Sequence, residues 1–342
     1  MSEALITVVV PTYNRADMLR EALQSLVRQK TEGIFSFEII VVNNASTDHT
    51  EVILKGFQEK YPNLLRYVYE ARKGVANAMN RGVKEARGEW LAFFDDDELT
   101  DEDWLRQLYE VAMRTGAPVV GGRVIPDLPG DELLELGGFC RKVLRENDFY
   151  ATEHVYEGKK LPGTCNVLAA RRVFDYIGLF DVDSIGLFGG ADPDLFMRAR
   201  AAGMALVYTP NAVVRHRIPH SRLAACHLKY DSLQIGIVLA YLDHSHEGRW
   251  KMLFFLVARI GQAILINLPM LCIAVMRRNT KDLRDRRYQL WQAIGYTRKA
   301  LSFISSRLFA QEDFFARLNF REGRKMEGTP GRQSEDNESN VL

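Results

Sequence analysis

Three consecutive aspartates, Asp95, Asp96 and Asp97, directly follow the apolar run LAFF (residues 91–94). Adjacent carboxylates repel one another, and burying any of them without a partner is costly. Mg²⁺ or Mn²⁺ would neutralise such a cluster, because these hard cations take oxygen ligands and keep phosphate oxygens as further partners. The alternative is a solvated acidic turn leading into the next helix. The cluster alone does not decide between the two.

Two further polar loops follow apolar runs earlier in the chain. PTYNR (11–15) follows ALITVVV, and NNASTD (43–48) follows FEIIVV. Backbone N–H groups and an arginine in the first loop suit an anionic nucleotide. Asparagines in the second loop can hydrogen-bond a pyrimidine base. Taken alone, the second loop is better explained as a helix cap between Ser46 and Asp48.

The pattern of apolar residues predicts the elements that position these loops. Four buried strands, at ALITVVV, FEIIVVNN, LLRYVYE and EWLAFFDDD, alternate with segments of helical spacing. Such alternation indicates an α/β fold with a mostly parallel sheet flanked by helices. Ligand sites in these sheets lie beyond the carboxyl ends of the strands, so the three polar loops should meet at one edge. Residues 127–165 give no clear assignment.

The motifs, in their order along the chain, resemble those of the family-2 glycosyltransferases, which have a Rossmann-like GT-A fold. The resemblance is to bacterial enzymes that build exopolysaccharides or lipid-linked oligosaccharides. Five segments carry it: VVVPTYNR, VVNNASTD, GVANAMNRGVKEARGEWLAFFDDD, GGADPDLFMRARAAG and VVRHRIPHSR, which ends at Arg222.

This resemblance implies an inverting, metal-dependent transfer of a sugar to a polysaccharide or lipid-linked oligosaccharide acceptor. The donor would be a nucleoside-diphosphate sugar, UDP- or dTDP-linked, and the metal Mn²⁺ or Mg²⁺. Asp97 and His216 would bind the metal, Asp192 would be the catalytic base, and Asn166 and Arg222 would lie beneath donor and acceptor. The nucleotide-sugar site would comprise Pro11, Thr12, Tyr13, Asn14, Arg15, Asn43, Asn44, Ser46, Asn80, Asp95 and Asp96.

One departure from the family pattern concerns the base. The family's GEDxDL motif reads GADPDL here, with Ala191 in place of Glu and Asp192 retained. Asp192 could instead cap the following helix, with Pro193 at its first position. The substitution keeps open a catalytically silent, nucleotide-binding scaffold of a polysaccharide assembly complex. A sugar-phosphate nucleotidyltransferase is disfavoured, because the loop after the first strand has no glycine.

The C-terminal third of the chain is largely helical in pattern. Residues 252–276 carry one formal charge and would extend about 37 Å as a helix, enough to cross a bilayer core. The polar residues of this helix gather on one side. This pattern favours a helix that lies on the membrane or re-enters it. A spanning helix ranks second, and a helix buried in a soluble bundle ranks third. The basic segment RRNTKDLRDRR follows and suits anionic lipids on the cytoplasmic face.

The predicted organisation is therefore in three parts. Residues 1–225 form a GT-A catalytic domain, 226–325 a helical, membrane-associated region, and 326–342 a disordered tail. The net charge of +1 gives no reason to expect nucleic acid as a partner.

Overall fold

The computed structural model describes residues 4–128, 130, 132–182 and 190–305. Within them a nine-stranded mixed sheet has the order β3-β2-β1-β4-β8-β6-β9-β5, with β7 paired to β9. The strands are β1 (Ala4–Thr12), β2 (Phe35–Asn43), β3 (Leu65–Tyr69), β4 (Trp90–Phe94), β5 (Glu98–Thr100), β6 (Val119–Asp127), β7 (His154–Val155), β8 (Asn166–Ala170) and β9 (Leu206–Arg217).

Helices cover the sheet and continue beyond it. They are α1 (Ala16–Leu26), α2 (Thr50–Lys60), α3 (Val75–Glu85), α4 (Trp104–Thr115), α5 (Gly138–Val143), α6 (Arg171–Ile177), α7 (Ala191–Ala201), α8 (Ala225–Glu247), α9 (Arg249–Gln262), α10 (Leu268–Met276) and α11 (Thr280–Ile304). A π-helical segment, Ala263–Asn267, joins α9 to α10. The predicted tail, 326–342, lies outside the described residues.

The first four predicted strands pair as the sequence indicates. β1 lies parallel to both β2 and β4, and β2 lies parallel to β3. The apolar side chains of β1 from Ile6 to Val10 are buried, because helices cover the sheet on both faces. The α/β fold with a C-terminal helical region is therefore confirmed.

The other half of the sheet is less parallel than the sequence predicts. β8 runs antiparallel to both β4 and β6, and β5 and β7 run antiparallel to β9. β5 and β7 span three and two residues, too few for an apolar period to be visible in the sequence. The reversal at β8 brings the segment that precedes it to the same edge as the end of β4.

Helices α8 and α11 approach closely at two glycines. A Cβ atom at Gly236 would overlap the carbonyl oxygen of Gln292, and one at Gly295 would overlap that of Leu233. The helices therefore pack backbone against backbone at this crossing.

Gly236→Ala should destabilise the protein because the added methyl group meets backbone that cannot rotate away. We expect a loss of about 1–3 kcal/mol in the free energy of unfolding, measured by thermal or urea denaturation. Gly261→Ala is the matched control on α9: among the described residues, no atom outside the neighbouring backbone of its own helix lies within 4 Å of the added Cβ. That change should be neutral or stabilising by up to ~1 kcal/mol. Equal melting temperatures for the two variants would contradict the close packing.

Candidate active site

The three aspartates lie in the turn between β4 and β5. Asp96 and Asp97 are buried, and Asp95 is half-buried. Burial raises the pKa of Asp95 to about 8, with the charge of Asp97 as the next cause. Glu98, at the start of β5, braces the turn because its Oε2 accepts a hydrogen bond from the Asp95 N–H at 3.0 Å. The sequence analysis missed this role of Glu98, although the residue adjoins the cluster.

Arg15 supplies the positive charge for two of these carboxylates. Its Nη1 lies 2.8 Å from Asp96 Oδ1 and 2.5 Å from Asp97 Oδ2. Burial would lower the pKa of Arg15, but the charges of Asp96 and Asp97 outweigh it and raise that pKa above its ordinary value. The arginine predicted to face the nucleotide thus contacts the acidic turn.

Two more basic side chains face Asp97. The distance from Asp97 Oδ2 to His216 Nε2 is 3.4 Å, and to Arg222 Nη2 it is 3.9 Å. Burial would raise the pKa of Asp97, but Arg15, His216 and Arg222 hold it well below its usual value. Asp97 is therefore the carboxylate that stays ionised.

The pair Asp97 and His216 fits a divalent cation that completes its shell elsewhere. Among the described residues, no group of three or more His, Cys, Asp or Glu side chains gathers to hold an ion. Mg²⁺ and similar ions commonly take one or two protein ligands and fill the remaining positions with water and substrate phosphates. The buried Nδ1 of His216 has no hydrogen-bond partner among the described residues. The donor set suits an ion that arrives with a diphosphate.

The first two polar loops are joined to each other as predicted. Asn14 has a φ of +53°, and its Oδ1 accepts a hydrogen bond from the Thr47 N–H at 2.7 Å. The Asn14 N–H donates to Ser46 Oγ at 3.1 Å. Tyr13 is exposed beside them, and its hydroxyl lies 3.1 Å from Lys73 Nζ. Pro11 and Thr12, at the end of β1, are buried, whereas Tyr13, which follows them, is exposed to solvent.

Three predicted ligand-binding amides instead hold the protein backbone. The Asn44 amide donates to the carbonyls of Glu70 and Arg72, and its oxygen accepts from the Gly74 N–H. Asn80 pairs with both backbone groups of Phe180. Asn166 accepts from the indole N–H of Trp104 and donates to the carbonyls of Arg123 and Ala212. These three side chains hydrogen-bond the protein itself and thereby position its loops and strands. The sequence analysis had predicted that they contact the donor or the acceptor. The Asn43 Oδ1 similarly accepts from the Ser46 N–H.

Asp192 lies in the first turn of α7 and faces the segment before β8. Its Oδ2 accepts a hydrogen bond from Thr164 Oγ1 at 2.7 Å. The predicted alternative, a cap with Pro193 at the first helical position, is wrong: α7 begins at Ala191, and no side chain caps it. Burial raises the pKa of Asp192. Thr164, two residues before Asn166, is a partner that the sequence analysis did not name.

Asp192 faces the acidic turn across a shared space. Its charge contributes to raising the pKa of Asp95, after burial and Asp97. The structure therefore brings the predicted base to the predicted donor site, although they are far apart in the chain. The predicted residues gathered at this edge are Thr12, Tyr13, Asn14, Arg15, Ser46, Asp95, Asp96, Asp97, Asp192, His216 and Arg222.

The helix that carries Asp192 is fixed from two sides. Asp194 accepts from Arg198 Nε at 2.9 Å, and Arg198 also donates to the carbonyls of Ile177 and Leu179. On the other side, His246 Nε2 of α8 lies 2.9 Å from Asp194 Oδ1. The sequence analysis did not foresee this contact from the C-terminal region.

The sheet, whose parallel strands end at an acidic turn, has the GT-A fold. Solved structures that share this fold include the following two. The mannosyltransferase PcManGT from Pyrobaculum calidifontis, in complex with GDP-Man and Mn²⁺, has a TM-score of 0.59 at 17% identity over 86% of this chain and 88% of its own. GalNAc-T7, with UDP, GalNAc and Mn²⁺, has a TM-score of 0.52 at 15% identity over 71% and 50%.

The chain belongs to glycosyl transferase family 2, whose family model matches residues 7–180. The succinoglycan biosynthesis protein ExoM of Rhizobium meliloti is 30% identical over 72% of this chain and 79% of its own length. The glycosyltransferase AglE of Haloferax volcanii is 26% identical over 62% and 66%. The resemblance inferred from the motifs is confirmed, and the protein is a glycosyltransferase.

Proposed function

We propose that this enzyme moves a sugar from a UDP- or dTDP-linked donor to a saccharide or lipid-linked oligosaccharide, with inversion at the anomeric carbon. The observation that carries the proposal is the placement of Asp192 opposite the acidic turn. Burial favours a proton on Asp192, which makes its carboxylate a stronger base once ionised. The similarity to the succinoglycan biosynthesis protein ExoM supports the choice of acceptor.

In this mechanism Asp192 accepts the proton of the acceptor hydroxyl. The hydroxyl oxygen bonds to the anomeric carbon as the bond from that carbon to the diphosphate breaks. Thr164 holds the carboxylate in orientation through its 2.7 Å hydrogen bond. Arg222, beside Asp97, would bind the departing diphosphate. When bound at Asp97 and His216, Mn²⁺ or Mg²⁺ would stabilise the negative charge that develops on the leaving group.

Hydrolysis of nucleotide sugars provides the direct test. The purified enzyme should slowly hydrolyse one member of a panel of UDP-, dTDP- and GDP-sugars, and only with Mn²⁺ or Mg²⁺ present. With that donor and a saccharide acceptor, proton NMR of the glycoside formed then reports its anomeric configuration. The opposing result is nucleotide binding in calorimetry while no donor of the panel is turned over with any of many acceptors. That result would favour the catalytically silent scaffold suggested by Ala191 in place of the family's Glu.

We further propose that α9 and α10 lie on the cytoplasmic surface of the membrane. Together they form a 28-residue helix, Arg249–Met276, that is long and apolar enough to span by composition, with 11% of its most apolar window buried. One side packs inward at Met252 and Leu256, and Asn267 Oδ1 accepts from Arg286. Because this side contacts protein, lying on the surface is favoured over spanning.

Charge complementarity supports an anionic surface as the contact. Large apolar side chains along α9 and α10 are exposed, among them Trp250, Phe254, Val257 and Leu265. Exposed cations follow at once, and they would meet lipid phosphates while the apolar side enters the interface. They are Arg277, Arg278, Lys281, Arg284 and Arg287.

The double substitution Val257→Glu with Leu265→Glu should release the protein from membranes. Each glutamate removes an apolar contact and adds a charge that anionic lipid repels. At ~1 kcal/mol per charge, affinity for vesicles with phosphatidylglycerol should fall about thirtyfold in a flotation assay. Val52→Glu is the control, since Val52 is 69% exposed on α2 and Val257 is 70% exposed. Unchanged flotation of the double variant would count against the surface helix.

A further inference from the structure

Arg145, just after α5, occupies a backbone conformation that suits glycine. Its φ is +74°. The helix ends in a Schellman-type turn, in which the Glu146 N–H donates to the Arg141 carbonyl and the Arg145 N–H to that of Lys142, both at 3.0 Å. Glycine takes this left-handed position without strain, whereas the Cβ of an arginine makes it unfavourable. The fold therefore gives no local reason for arginine here.

The backbone on both sides of Arg145 is held firmly. Asn147 exchanges two hydrogen bonds with Val124 of β6, at 3.0 and 3.1 Å. At the other end of α5, the Asp285 carboxylate of α11 accepts from the N–H groups of Phe139 and Cys140, each at 2.9 Å. The backbone that carries Arg145 is thus anchored to β6 on one side and to α11 on the other, which fixes the position of its Cα atom.

The guanidinium of Arg145 is exposed and uncommitted. It makes no hydrogen bond or ion pair with any residue that the structure describes, whereas Arg15 and Arg222 both face Asp97. The backbone places this segment beside the catalytic space. Asn147 pairs with Val124, the carbonyl of the adjacent Arg123 accepts from Asn166, and Thr164, two residues before Asn166, donates to Asp192. In agreement with this position, the charge of Arg145 partly offsets the effect of burial on the pKa values of Asp192 and Cys165. A strained residue with a free charge beside a catalytic carboxylate indicates a ligand contact.

We propose that Arg145 binds an anionic group of the acceptor, a phosphate or a carboxylate, beside the hydroxyl that Asp192 deprotonates. The inference rests on the proposed function and names its acceptor class. A guanidinium matches both anions with two parallel N–H···O bonds. The donor diphosphate is assigned to the Asp97 side, where Arg222 and Arg15 lie. Arg145 therefore sets acceptor specificity, and loss of its side chain leaves donor binding intact.

The test uses Arg145→Gly, a change that removes the charge and also relieves the backbone. Its melting temperature should equal or exceed that of the wild type. The acceptors are decyl β-glucoside, decyl β-glucuronide and decyl-diphosphate-linked glucose, assayed above the pH at which Asp192 is fully ionised. We expect kcat/KM for one or both anionic acceptors to fall about 10- to 100-fold, mostly through KM. For the neutral glucoside, kcat/KM should change by no more than about twofold. This change is much smaller than the one expected from the loss of a charged hydrogen bond.

Matched variants separate charge from structure. Lys142→Ala removes an exposed cation of α5 and should change none of the three acceptors. Arg145→Lys should recover part of the preference for anions. The glucuronide and diphosphate arms identify whether a uronic acid or a lipid diphosphate is the source of the charge. Equal losses on neutral and anionic acceptors, or a wild type with no preference for either anion, would overturn the proposal.

Donor hydrolysis and direct binding keep this proposal distinct from the proposed function. Arg145→Gly should hydrolyse the donor as the wild type does; a loss there places Arg145 on the donor side and refutes the acceptor role. Calorimetry with decyl diphosphate and decyl β-glucuronide, on protein saturated with nucleoside diphosphate and Mn²⁺, needs no turnover. Weaker binding by Arg145→Gly supports the anion site even if no transfer is found, and unchanged binding of both overturns it.

Discussion

Replacing Asp192 by asparagine should lower kcat about 10²- to 10⁴-fold while donor binding and melting temperature stay near wild type. The amide cannot accept the proton of the acceptor hydroxyl, which is the contribution of a general base. Its oxygen can still accept the hydrogen bond that Thr164 Oγ1 donates to Asp192, so the local fold is kept. Initial rates with saturating donor, together with calorimetry of the nucleotide, give the two readouts. Near-normal turnover would remove Asp192 from the mechanism.

The same assignment fixes the direction of the pH dependence. Burial raises the pKa of Asp192, and the Thr164 hydrogen bonds favour its carboxylate and lower that pKa. Since the base acts when ionised, kcat should rise with pH through this raised pKa. Thr164→Val removes the hydroxyl donor and should move the rising limb to higher pH. A limb that stays in place or moves down would show that another group titrates.

The second large effect is expected at Asp97. Asp97→Asn removes the negative charge that faces Arg15, His216 and Arg222, and with it the carboxylate assigned to the metal. We expect kcat/KM for the donor to fall roughly 10²- to 10³-fold, since a metal ion contributes several kcal/mol of charge stabilisation. Mn²⁺ affinity, followed by electron paramagnetic resonance without donor, should fall in parallel.

An exposed carboxylate on α1 provides the control for Asp97. Asp17 is 89% exposed, so Asp17→Asn makes the same change in net charge away from the acidic turn. It should leave both Mn²⁺ affinity and turnover unchanged. If Asp97→Asn bound Mn²⁺ as the wild type does, the ion would have to be held by other ligands.

The convergence of the three polar loops could be predicted because it follows from apolar periodicity and one topological rule. Buried strands that alternate with helices run parallel, and their carboxyl ends share an edge. That reasoning brings Arg15 and Asp97 to one place before any side chain is seen. The contact between them is a tertiary detail, set by the turn after β4 and the start of α1.

The asparagines that hydrogen-bond the backbone show where sequence reasoning stops. A polar side chain at a strand end serves a ligand or the backbone equally well, and only the fold around it decides. Asn44 and Asn166 lie where neighbouring carbonyls need donors, so their amides are consumed. Thr164 and Arg145 lie in the stretch from 127 to 165. The two-residue strand and the short helix of this stretch are too short to show a periodic pattern of apolar residues.

The contacts His246 to Asp194 and Asp285 to the start of α5 make the C-terminal helices part of the scaffold around the acceptor space. One contact supports the helix of the base, and the other supports the segment that presents Arg145. A bilayer that pulls on these helices would thus act directly on both walls of the reaction chamber. If α9 and α10 bind the membrane as proposed, anchorage and catalysis are mechanically coupled, and a graft of these helices onto a relative would have to include both attachment points.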